Sequence, residues 1–329
     1  MAPHKPPPPA ISLPQEIYDE ILEHLPRKAL LQVARSSQSL RWASTRILYR
    51  QVSLHDTDRM IQFFNTLKEN NDAAHSVRKL ALTIHEQEPL PPQSLRLLCA
   101  GLARVSQNVT NLCILAKDRD IFASVTEHFP RLKYLASSQH ISSGLLSFLR
   151  SHPSLVHIEL YNPADSILIY FAGPIALPNL EHIYDPAHLV EAVVPKAPVR
   201  AIGIAPSSFD PCDYDMERRV ISAAARSSEK VISLTLWYPV VVRNVLLKIS
   251  ERLLDLVEFN FHGVPLWEGN LPALFEGVEQ ILQKCHSLRK IELTADYPPR
   301  LMLDSMEYEH ELLTTWSKIR PSRSCLPTE

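Results

Sequence analysis

Five cysteines, Cys99, Cys113, Cys212, Cys285 and Cys325, are the residues best suited to ligate a metal or act as nucleophiles. No two form a CxxC pair, and their number is odd. Both facts argue against a zinc site and a disulfide framework, and favour a reducing compartment, cytoplasmic or nuclear. The 14 histidines are scattered, and a pair such as His182 and His188 has the spacing of a loop or surface feature rather than a metal site. Neither HExxH nor GxSxG occurs. The 7 glycines never reach the GxG spacing that lets backbone amides close on a phosphate, which argues against a P-loop or dinucleotide fold. Asn108-Val109-Thr110 matches a glycosylation acceptor without a secretory leader before it, and Cys325 lies one residue too far from the end for prenylation. The chemistry-bearing residues therefore predict no catalytic residue, no metal and no cofactor: a binding protein rather than an enzyme.

The elements that would position a binding surface repeat. An apolar residue, two variable ones, an apolar, one variable and an apolar recur nine times, the last place degenerating in two copies: "VRKLAL" at 77, "VTNLCI" at 109, "LKYLAS" at 132, "LVHIEL" at 155, "LEHIYD" at 180, "VRAIGI" at 199, "VISLTL" at 231, "LVEFNF" at 256 and "LRKIEL" at 288. Their starts lie 19 to 32 residues apart. Between them run segments of helical period, such as Leu145, Leu146 and Leu149, or Leu274, Phe275, Val278, Ile281 and Leu282. A strand motif at such intervals is the signature of a leucine-rich repeat, with parallel strands inside and helices outside. The alternative, an ordinary α/β sheet, has strands that read as continuous apolar runs. The Asn or Cys expected after each strand is missing, which predicts irregular curvature and no asparagine ladder. The expected fold class is α/β, with about nine strands over 77–303 and a capping helix at 304–319 built on Leu312, Leu313 and Trp316.

Ahead of the repeats, residues 13–54 crowd three apolar helix faces into roughly forty residues: Ile17, Ile21, Leu22 and Leu25; Leu30, Leu31 and Val33; Leu40, Ile47 and Leu48. Pro14 suits a first helical turn, and Pro26 the end of that helix. "LPQEIYDEILEHL", a short spacer, "ALLQVARSSQSLRW" and the closing "LYRQVSL" resemble an F-box over residues 11–54. The chain is thus similar to fungal F-box proteins with leucine-rich-repeat-like domains, substrate receptors of SCF-type ubiquitin ligases. The resemblance implies a three-helix F-box that binds a Skp-type adaptor and, through it, a cullin. By position, Leu13, Pro14, Ile17, Ile21, Leu22, Leu25, Leu30, Leu31 and Val33 fall in the matching motif. Some of them must instead pack the helices' own core. Residues 55–76 are expected to be a helical linker, and 1–10, rich in proline, and 320–329 to be tails.

Two partner classes are argued against. No apolar run approaches the roughly 20 residues of a membrane-spanning helix. Residues 1–54 carry 7 Lys/Arg against 4 Asp/Glu, and the remainder 27 against 32, a poor balance for binding nucleic acid unaided. A protein substrate is expected on the concave face, at the places two, four and six residues after each motif start. There stand Tyr134, His157, Glu159, Tyr161, His182, Tyr184, Trp237, Asn260 and His262. The sequence also leaves open an F-box protein used for assembly or targeting without ubiquitination, and a scaffold with a chance N-terminal likeness.

Overall fold

The structure, a computed structural model, describes residues 14–84, 90–116, 120–161, 175–185, 187–204, 216–237, 242–262, 271–295 and 311–317. The tails, Leu13 and the segment 296–310 lie outside the described residues, as does the Trp237 side chain. Three helices come first: α1 (Gln15–Glu23), α2 (Arg27–Val33) and α3 (Gln38–Arg50), with α1 and α2 both packed on α3. Pro14 does not enter the first turn. It stands just before α1 and offers its carbonyl to the amides of Ile17 and Tyr18. Helix α1 stops at Glu23, ahead of Pro26 as expected, and Pro26 also starts α2, accepting from Ala29 and Leu30. In both places a residue lacking an N–H is free to supply the carbonyl that opens a helix. The Ser37 hydroxyl caps α3 through the Leu40 amide at 3.2 Å.

The remainder alternates strand and helix. The strands are β1 (Gln51–Leu54), β2 (Lys79–Ile84), β3 (Asn111–Ala116), β4 (Tyr134–Ser137), β5 (His157–Leu160), β6 (His182–Asp185), β7 (Ala201–Ile204), β8 (Ser233–Trp237), β9 (Glu258–His262), β10 (Lys290–Ala295) and β11 (Glu311–Ser317). They form one sheet in chain order, parallel from β1 to β10 and antiparallel between β10 and β11. The helical layer holds α4 (Thr57–Glu69), α5 (Asn71–Ser76), α6 (Pro92–Val105), α7 (Ser143–Ser151), α8 (Ala187–Val193), α9 (Met216–Ala224), α10 (Val242–Arg252) and α11 (Leu271–Lys284). Successive members pack on one another, α4 on α6, α8 on α9, α9 on α10 and α10 on α11. An α/β strand–helix array of this kind is solenoid-like.

Each of β2 to β10 starts two residues into its sequence motif. The residues at that place pair in a single row, Lys79, Asn111, Tyr134, His157, His182, Ala201, Ser233, Glu258 and Lys290. First, fourth and sixth places supply the core: Val109, Leu112 and Ile114, like Leu256, Phe259 and Phe261, are all 0% exposed. Burying such a side chain contributes roughly 1.5–3 kcal/mol. Ordering each residue of a unit costs about 1–2 kcal/mol of backbone entropy. Three to six inward side chains cannot offset the ordering of some twenty-five residues, so the units hold only as a stack that shares its core. One residue before each strand, backbone amides bond across neighbours at 2.8–3.0 Å, from Arg78 to Arg50 through to Arg289 to Val257.

Three expectations change. The sheet has a tenth parallel strand, because "YRQVSL" at 49 is itself a copy of the motif. Tyr49 and Val52 pack against the array's core, Leu54 is buried, and Gln51 pairs with Lys79. In the sequence the letters of that stretch also close the helical unit, which conceals it. Residues 55–76 are helical but are not a linker, since α4 packs on α6 in the outer layer and supplies Met60, Phe64 and Leu67 to the core. The segment 304–319 holds no described helix. Residues 311–317 form β11 along the open edge of β10, with Ile291 and Trp316 paired in the backbone register. The bare edge of a sheet presents unpaired backbone groups, and Thr314, Thr315 and Trp316 favour extended backbone, so pairing overrides the helical spacing of the leucines.

Candidate functional site

Two surfaces emerge from the residues upward. The first belongs to the three N-terminal helices. Their core is separate from that of the array and, among the described residues, contains Leu22, Leu30 and Ala43 as its buried apolar members, with Tyr18, Leu25, Val33, Leu40, Ile47 and Leu48 partly buried around them. Of the nine positions expected to meet a partner, Leu22 and Leu30 are therefore inner core, and Leu25 and Val33 line it. Ile17 at 39%, Ile21 at 52% and Leu31 at 51% remain exposed, and Pro14 is exposed beside them in sequence. Ile17 and Ile21, four apart, share one face of α1. On its other side Asp19 accepts both contacts of Arg46 at 2.6 and 2.7 Å, and Glu23 pairs with Arg50, which fixes α1 on α3. Trp42, 47% exposed, lines a cleft of about 780 Å³ between these helices and the start of the sheet, with Arg46, Arg50, His75 and Arg78.

The second surface is the outward side of β4 to β6. Tyr134 donates its hydroxyl to Glu159 at 2.8 Å across two strands' edges, and Tyr161 donates to the same carboxylate oxygen. His157 Nε2 meets the other oxygen at 2.7 Å. An ionised carboxylate only accepts, so His157 donates from Nε2. The His157 bond, with those of Tyr161 and Tyr134, outweighs desolvation and holds the Glu159 carboxyl down to about 2. Burial first, and then the Glu159 contact, push the Tyr134 and Tyr161 phenols above their ordinary range. The rings continue across the strands: Tyr134 to His157 at 4.9 Å, His157 stacked on His182 at 5.2 Å, Tyr161 to Tyr184 at 6.1 Å. Burial, and then the neighbouring His157, hold the His182 imidazole below its usual value.

Six of the nine expected positions thus form one cluster: Tyr134, His157, Glu159, Tyr161, His182 and Tyr184. Asn260 and His262 do not join it. They lie on β9, three strands from β6 or about 14 Å away, where Asn260 Nδ2 donates to Thr235 at 3.3 Å and His262 Nδ1 meets Thr294 at 2.7 Å. Trp237 also stands beyond β6, on β8, with its side chain outside the described residues.

What the sequence reading missed are the small residues around the cluster. Along the fourth-from-start row stand Ala81, Cys113, Ala136, Glu159, Tyr184 and Gly203. Ala136 beside Glu159 and Gly203 beside Tyr184 are both buried, so their small size is taken up by neighbouring groups. A Cβ on Gly203 would come within 2.1 Å of the Tyr184 ring, so that ring lies against the glycine. Small residues flanking a lone acid and tyrosines were the available signal. Burial, and then the Glu159 charge, raise the Cys113 thiol, which disfavours it as a nucleophile. Among the described residues, no group of three or more His, Cys, Asp or Glu is arranged to hold a metal ion, and no helix is long and apolar enough to cross a membrane. No protein-family model and no curated protein matches this chain.

Proposed function

We propose that the chain is the substrate-recognition subunit of an SCF-type ubiquitin ligase, an F-box joined to irregular leucine-rich repeats. The observation that carries this reading is the mismatch within the N-terminal helices. Among the described residues three buried apolar side chains make a very small core, yet Ile17, Ile21 and Leu31 stay in water on helices that both rest on α3. Apolar side chains left out of so small a core mark a surface completed by another protein. A Skp-type adaptor fits that role, and would link the chain to a cullin. The array, with its own continuous core and an outward face of rings and polar groups, supports a protein-binding partner domain. Binding rather than catalysis is the proposed activity, inside the cell.

The test is co-purification of the full chain with a Skp-type adaptor and a cullin. Replacing Ile21 by aspartate buries a charge in the proposed contact without touching either core, and an unpaired desolvated charge costs several kcal/mol. The Ile21→Asp protein should keep its circular dichroism spectrum and lose the adaptor. Unchanged capture by the folded variant would overturn the assignment. Capture of the adaptor without ubiquitin transfer to any bound protein would favour an assembly role instead.

A further inference from the structure

We propose that the Glu159 cluster is a recognition site for an arginine side chain of the bound protein. For its biological use this rests on the substrate-receptor reading; its physical basis is independent of it. Across β3 to β7, the outward residues of the strands are Asn111, Cys113 and Leu115, then Tyr134 and Ala136, His157 and Glu159, His182 and Tyr184, and Ala201 and Gly203. Histidines aside, Glu159 is the one formal charge among these described residues, and no lysine or arginine of these rows faces it. Further along, Lys290 is occupied by Glu292 at 2.6 Å.

Among the described residues Glu159 is well supplied with hydrogen bonds, but its one ion-pair partner is His157 at 2.7 Å, which carries charge only when protonated. Its two oxygens accept from Tyr134, Tyr161 and His157, three of about four available lone-pair positions. The two phenols bring no charge, and the His157 bond needs only the Nε2 hydrogen. A neutral donor arriving from a ligand therefore finds little left to bond. A cation finds an ionised carboxylate and, around it, the rings of Tyr134, Tyr161 and Tyr184. A phenol that donates to a carboxylate becomes richer in π electrons, which strengthens the attraction of its ring face for a cation. A guanidinium is planar, weakly hydrated and stacks on aromatic faces, whereas a lysine ammonium is compact and strongly hydrated. Tyr161 is 45% exposed despite its bonded hydroxyl, so the ring is within reach of a partner.

The probe is a pentapeptide, acetyl-Gly-Arg-Gly-Arg-Gly-amide, and its citrulline counterpart, the same shape without charge. Saturation-transfer NMR with the full chain detects contacts of millimolar strength. The arginine peptide should bind, and the citrulline peptide should bind about fivefold or more weaker. Glu159→Gln should lower affinity by a similar factor, and so should Tyr161→Leu, which removes a half-exposed ring and no charge. Should Glu159→Gln fail to fold, the citrulline comparison and Tyr161→Leu still decide. Equal binding of both peptides, or no binding of either, overturns the inference. Adaptor capture is measured on the same variants and should not move. Absence of the arginine preference in the unaltered chain, with adaptor capture intact, thus sinks only this inference; arginine-selective peptide binding by a chain that captures no adaptor sinks only the receptor reading.

Discussion

His152 shows what one side chain does for the stack. It is 0% exposed at the end of α7, where Nε2 accepts the Phe129 amide at 2.9 Å and Nδ1–H donates to the Phe148 carbonyl at 2.6 Å. The Phe129 amide can only donate, which fixes the tautomer with Nε2 bare. Burial holds this imidazole below its ordinary value, with the Phe148 bond opposing. The folded state thus binds the proton less readily than the unfolded chain. Stability is then full above the ordinary imidazole value of about 6.5 and declines as pH falls below it. Thermal unfolding at pH 7.5 and pH 5.5 should show a lower midpoint at the acid end, with a smaller drop in His152→Leu. That variant should itself be less stable by about 1–3 kcal/mol, since the Phe129 amide is left unpaired. An identical pH dependence in the variant would remove His152 from the account. Single-residue roles of this sort were the least legible part of the sequence. The alternation that placed Tyr134, Glu159 and Tyr161 outward follows from strand geometry, but which outward residues touch depends on ring tilt and on neighbours such as Gly203.

At the scale of elements, strand position was legible because the motif's spacing leaves one solution. Apolar residues at places one, four and six must point into one core, and a shift of one residue would turn them all to water. The same rule found β2 to β10 but passed over β1, where the letters of "LYRQVSL" served two patterns at once. It failed at β11, where pairing with an open edge decides. Helix contacts were legible only as faces, not as separations. Gly277 is an example: a Cβ there would lie 2.6 Å from the Leu246 Cβ, so α10 and α11 meet at van der Waals closeness through the glycine. Alanine would favour the isolated helix by up to about 1 kcal/mol. Overpacking costs typically about 1–3 kcal/mol, and a Cβ contact is not the loose end of a flexible chain, so packing wins. Gly277→Ala should lower the denaturant midpoint without changing the slope; a stabilised variant would mean that the two helices stand further apart.

The whole molecule joins its two surfaces without a flexible seam. Helix α3 ends at Arg50 and β1 begins at Gln51, the Arg50 carbonyl accepts from Arg78, and α3 packs on α5. Rigid continuity of this kind holds the N-terminal helices at a fixed position relative to the ring cluster on β4 to β6. In the proposed function that is the useful property, because a receptor must present its bound protein at a set distance from the ligase. The claim that the helical unit is the adaptor's partner is tested most directly by amide hydrogen exchange of the full chain, with and without a Skp-type adaptor. The account predicts added protection in α1 and α2, centred on the residues around Ile17, Ile21 and Leu31, with the β4 to β6 amides unchanged. An adaptor that leaves α1 and α2 exchanging as before, or that protects the sheet instead, would contradict it.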